Sequence, residues 1–282
     1  MAYKLWNGIP LINDETPIDD LFNVKDEKGN LFGRGYVERD FNAYPHEMFA
    51  PPSTMPLIDP SEYDARIEEQ ERTQSSLEHI YLGGEGGKPR FVNLNQNGQG
   101  YCWSYSTGHT MMIARLRDNQ PLVRLNPHAS ACIIKGGRDE GGWCGLSAQW
   151  SRQHGYAEEG TGEGQWPLHG MSLRYDTPAL RANMSKHKVA EDWVDMAQPV
   201  YGQNLTQQQI ATCLLSNQPC AVDYSWWGHS VCELRLVKVE AGSYGRLILN
   251  SWLNWGRYGL AVIQGSRLNT MGAICSRVVK AA

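Results

Sequence analysis

The chain lacks any long apolar run; stretches such as "MMIA" at 111–114 are only a few residues long. A bilayer span needs about 20 such residues, so no membrane helix is expected. The opening "MAYKLWNGIPLINDETP" also lacks the apolar core of a secretory signal. Basic residues never cluster, and 26 Lys and Arg stand against 30 Asp and Glu for a net charge of −4. That balance offers no footprint for nucleic acid. The seven cysteines are scattered with no C-x-x-C pair, so the closely spaced ligands of a zinc site are missing. An odd cysteine count without a leader favours free thiols in a reducing setting, cytoplasmic or virion-associated. Spacing alone leaves disulfide pairing open. Internal repeats and low-complexity tracts are absent as well.

What remains is an ordinary globular balance, with 41% hydrophobic and 20% charged residues in 282. That length suits one large domain or one and a half. "DEKGNLFGRG" (26–35) reads as a turn between two short strands, and the proline-rich stretch 44–56 as an ordered, irregular loop. A helix is expected over about 60–81, with Asp59 as cap, Pro60 at its first position and Glu62 completing a capping box. The glycine-rich "LGGEGGK" (82–88) is the best boundary in the chain. It divides an N-terminal extension, 1–88, from a main domain, 89–282. Helices are expected from Cys102 to about Asn119 and from about Leu146 to His154, with Gly155 as the C-terminal cap. After residue 218, short β-type runs bounded by Gly, Ser or Pro suggest an antiparallel sheet or barrel. Helices first and strands later give an α+β fold of two facing lobes.

The stretch "QNGQGYCWSY" (96–105) sets Cys102 at the start of a helix. A thiol is a good nucleophile only as the thiolate, which a helix N-terminus and a nearby imidazolium both favour. His109 lies two turns along the same helix and cannot reach the sulfur. His46, His79, His128, His154, His169 and His187 sit in polar or turn-like contexts that suit surface residues. His229 in "WWGHSVCEL" instead follows a glycine and opens a β-type run. Such an imidazole needs a partner to fix its ring, and Asn250 in "LILNSWLNWG" is placed to supply one.

Cys102, His229 and Asn250, with the last two roughly 130–150 residues downstream, resemble the papain-like cysteine proteases in order and spacing. The resemblance covers about residues 90–265. It implies that Gln96 and the Cys102 amide form an oxyanion hole, and that Trp252 packs over the His–Asn pair. "GGWCGLSAQWSRQHG" (141–155) is similar to the family's paired-glycine segment. Gly141 and Gly142 would then hold substrate main chain, and Cys144 would stand at the wall of a side-chain pocket. The family's common cysteine three positions before the nucleophile is Gln99 here. Tyr101 replaces the usual small residue before the nucleophile, which bears on access to it. Residues 1–88 do not carry the family's helical prosegment pattern.

The expectation is therefore a papain-like α+β fold and a cysteine endopeptidase acting on peptide or protein through a Cys102 thioester. It needs no metal or organic cofactor. Two alternatives stay open. One is a Cys-His amidase or transpeptidase with the same residues. The other is a structural or binding component of a larger assembly, contacted through residues 1–88.

Overall fold

The computed structural model describes residues 4–25, 28–160, 172–189 and 192–276. Strands form where β-type runs were expected: β4 (Cys220–Tyr224), β5 (His229–Glu240), β6 (Ser243–Leu249) and β7 (Leu260–Gln264). Four further strands complete one sheet: β1 (Lys4–Trp6), β2 (Ile9–Ile12), β3 (Trp193–Asp195) and β8 (Gly272–Ser276). Its order is β1-β2-β7-β6-β5-β4-β8-β3, antiparallel except where β2 runs parallel to β7. Side chains alternate across it as a pleated strand requires. Leu247 and Leu249 join the cluster that includes Met111 and Met112, whereas Ile248 joins the opposite one with Ile210 and Leu214.

Both faces are covered. Helix α3 (Cys102–Arg117) packs against β5 and β4, and α7 (Gln203–Leu215) lies against β5 and β8. This explains why the first nine residues of β5 are all buried, the polar His229, Ser230, Glu233 and Arg235 included. Helix α3 is buried from Cys102 to Leu116. It tolerates this because its polar side chains bond inward, Ser104 to the Pro127 carbonyl and Thr110 to that of Ser106. Around α3 stand α4 (Pro127–Ile134), α5 (Cys144–Gln153) and α6 (Pro178–Ser185), which build the helical lobe.

The helix expected over 60–81 is two helices, α1 (Tyr63–Thr73) and α2 (Leu77–Tyr81). Asp59 caps a short 3-10 turn ahead of α1, accepting from the Ser61 amide. Gln74 then turns left-handed at φ 53, and Ser76 caps a new start by accepting from the His79 amide. Buried Arg235 on β5 pairs with Glu78 and Glu71 at 2.8 and 2.7 Å, which pins both helices to the sheet. The other end of the N-terminal region is pinned by β1 and β2, and by Asp14, which accepts from the Ser266 amide. Between these anchors, residues 31–50 form a strap across the cleft between the lobes.

Candidate active site

Cys102 is the first residue of α3 and is fully buried. First-turn amides have no acceptor within their own helix, so this end of α3 favours negative charge. His229 opens β5, and its neighbour Ser230, whose hydroxyl donates to Asp223 Oδ1 at 2.5 Å, pulls the Cys102 thiol down. Asn250 directly follows β6, and its Oδ1 lies 2.9 Å from His229 Nε2. That oxygen also accepts the Ser251 amide at 2.7 Å, which fixes the amide's orientation. An acceptor at Nε2 requires the proton there, leaving Nδ1 as the lone-pair nitrogen. Nδ1 is buried and makes no hydrogen bond. Trp252 lies 4.6 Å from the imidazole at 31°, and Trp227 meets it edge-on at 4.9 Å. Together they keep water from the His–Asn bond.

Gln96 is held by Ser251, whose hydroxyl donates to Oε1 at 2.5 Å and whose carbonyl accepts the Gln96 amide. Its side-chain NH₂ therefore faces the cleft, where the strap meets it. The Gly33 carbonyl accepts from Gln96 Nε2 at 2.8 Å and from Trp252 Nε1 at 3.0 Å. Phe32 stacks on Trp252 at 5.2 Å and 12°. The Gly35 backbone N–H pulls the Cys102 thiol down, against the larger effect of burial. Beyond it, Gly142 donates to the Gly35 carbonyl and accepts from the Val37 amide, both at 2.8 Å. The bridge between Tyr36 and Gly142 is parallel. Gly141 permits this approach, since a β-carbon there would stand 2.6 Å from the Gly35 carbonyl oxygen.

Cys144 opens α5 but is buried behind the cleft wall, bonded to Asp223 Oδ1 and Ser106 Oγ at 3.1 Å each. Trp143 and Asp223 line the neighbouring pocket. The Tyr101 hydroxyl donates to the Arg138 carbonyl and its ring packs edge-on to His128. His128 and His187 depart from the surface reading. Both are buried, and His187 contacts Arg115 and Glu158. His169 lies outside the described residues. All seven cysteines are free thiols, with no disulfide among the described residues.

Burial governs the electrostatics of the closed cleft. It pushes the Cys102 thiol up to about 12, opposed by Ser230 and the Gly35 N–H. It pushes His229 down to about 3, with Asn250 pulling upward and Arg34 downward. Both groups are therefore neutral while the strap is seated. The closed form binds fewer protons at His229 than an open form whose imidazole titrates near 6.5. It thus loses stability as pH falls through 6.5, down to about 3. Asp223, pushed by burial up to about 6 from 3.8, acts in the opposite sense over a narrower window. Acidification from pH 7 to 4 should therefore lower hydrogen-exchange protection of the Tyr36 and Val37 amides beyond the intrinsic rate change. His229→Gln should abolish that trend.

Three features were not found from sequence: Ser251, which holds both Gln96 and Asn250; Asp223; and the strap itself. "GRG" at 33–35 within a β-type stretch was the available signal, because glycine there marks close backbone approach.

No family model matches the chain, and no curated protein matches its sequence. Solved structures do match. Xylellain, a cysteine protease from Xylella fastidiosa, is 15% identical over 89% of this chain and 96% of its own, with a TM-score of 0.52. Procathepsin B S9 from Trypanosoma congolense is 12% identical over 88% and 87%, at 0.51. A structure concerning the mite allergens Blo t 1 and Der p 1 is 12% identical over 66% of each chain, at 0.51. The fold is that of the papain-like cysteine proteases.

Proposed function

We propose that the protein is a latent cysteine endopeptidase whose cleft is closed by its own strap. One observation carries the reading: Gln96 Nε2 already holds a peptide carbonyl, that of Gly33, beside Cys102. In an open cleft, His229 Nδ1 takes the Cys102 proton and the thiolate attacks a substrate carbonyl carbon. The developing oxyanion is held by Gln96 Nε2 and the Cys102 amide. The imidazolium gives its proton to the leaving amine, which departs and leaves a thioester. His229 then takes a proton from water as the water attacks the thioester. Collapse returns that proton to the sulfur. Asn250 holds the ring throughout.

Protease sites placed at the exposed turn 28–30 and the exposed residues 53–54 would allow the strap to be excised. The intact chain should leave Cys102 unlabelled by iodoacetamide. An ordinary thiol with a pKa near 8.5 is about one part in three thousand ionised at pH 5. After excision, Cys102 should be labelled fast at pH 5 and mixed peptides should be hydrolysed. His229→Ala should remove both. If Cys102 then behaves like the other six cysteines, the endopeptidase reading fails and a structural role is favoured.

A further inference from the structure

Beside Gly142 and Trp143 the strap does more than cover the cleft. Arg39 reaches into a pocket where its Nη1 lies 2.6 Å from Asp195 Oδ2, with side-chain exposures of only 7% and 3%. Its guanidinium sits 4.3 Å from the Trp143 ring and 4.5 Å from that of Phe41, and its Nε donates to the Tyr44 carbonyl at 2.7 Å. Asp223 lines the same pocket. Phe41, Tyr44 and Arg39 belong to the strap, whereas Asp195, Asp223 and Trp143 belong to the body of the fold. Opening the cleft therefore leaves a pocket with two carboxylates and an indole wall, and no cation.

We infer that this pocket is the specificity site for an arginine side chain of the substrate, and that Arg39 occupies it in the closed form as the substrate's arginine would in the open one. The inference rests on the endopeptidase reading only in placing a peptide in the cleft. Removing one partner of a buried ion pair leaves an uncompensated charge, so the vacated Asp195 favours a replacement cation. A planar guanidinium meets both demands of the site, donating to a carboxylate while lying on an indole face. An ammonium meets only the first. Asp195 is well placed to select because it is fixed on strand β3, which stays paired with β8 when the strap is gone.

The test uses the strap-excised chain with Cys102→Ala, so that binding is read without turnover. Blocked hexapeptides carrying arginine, or its neutral isostere citrulline, at each position in turn are titrated by calorimetry. At one position arginine should bind at least about tenfold tighter than citrulline, a difference of about 1.4 kcal/mol. Asp195→Asn, which keeps the shape, should erase that preference while citrulline peptides bind as before. Lysine at that position should fall between the two. Equal binding of arginine and citrulline, a preference that survives Asp195→Asn, or no peptide binding at all would each overturn the inference. The two claims separate cleanly. Arginine-selective binding without hydrolysis by the Cys102 form sinks the endopeptidase reading alone. Hydrolysis indifferent to arginine sinks the pocket alone.

Discussion

Gly35→Ala should raise the labelling rate of Cys102 in the intact chain by about 10- to 100-fold. A β-carbon at position 35 would stand 2.0 Å from the Gly100 carbonyl oxygen and 2.3 Å from its carbon. Both are backbone atoms at the approach to α3, and Gly100 is itself tied to Asp139 through its amide. No flexible side chain can yield, so the strap must lift. Overpacking of this kind costs about 1–3 kcal/mol, and each 1.4 kcal/mol shifts the open population tenfold. The effect should be local. Six other buried cysteines serve as internal controls, because global unfolding would expose them all together. Site-by-site mass spectrometry checks this. Gly33→Ala, whose β-carbon would meet the Gln99 carbonyl oxygen at 2.2 Å, should act in the same direction. Unchanged labelling of Cys102 in a folded Gly35→Ala protein would show that the strap is not what protects the thiol.

The second large effect has opposite signs in the two states. In the strap-excised protein, Gln96→Ala should lower kcat about 10²- to 10³-fold with little change in KM, as loss of one oxyanion donor does elsewhere. In the intact chain the same substitution removes the hydrogen bond to the Gly33 carbonyl. One such bond contributes about 0.5–1.5 kcal/mol, so labelling of Cys102 should rise a few-fold. Turnover falls where labelling rises. A residue that merely supported packing would not split the two readouts in this way. Steady-state kinetics on the excised form and alkylation of the intact form decide it together.

Much of this architecture was legible from local pattern. β5 through β7 announced themselves as β-type runs between Gly, Ser and Pro, and Gly155, at φ +85, ended α5 as expected. Cys102, His229 and Asn250 stood in contexts that were individually ordinary and only jointly informative. The strands β1 and β2 were missed because each is only three or four residues long and the pair joins the sheet only through β2 on β7, far along the chain. The break at Gln74 was missed because charged residues flank it closely, Glu71 and Arg72 before and Glu78 after. The strap was illegible for a different reason. Its conformation is set almost wholly by what it touches, through Gln96, Gly142, Trp252 and Asp195, and no local propensity encodes those contacts. His187 was misjudged likewise, since the Arg115 and Glu158 that allow its burial are distant in sequence.

The anchoring of the strap at both ends has a kinetic consequence. With the β1–β2 hairpin on one side and the Arg235-clamped helices on the other, the occupant of the cleft can neither diffuse away nor be diluted. Short tethers place a ligand at an effective concentration on the order of mM. On the endopeptidase reading, latency is then a first-order property of each molecule, independent of how much protein is present. A peptide competing from solution at micromolar levels gains access only in proportion to the fraction of time the strap is lifted. One cut on either side leaves the other tether in force, so a singly nicked molecule should still re-close. Two cuts convert the occupant into an ordinary dissociable peptide, and only then does the cleft become dose-dependent.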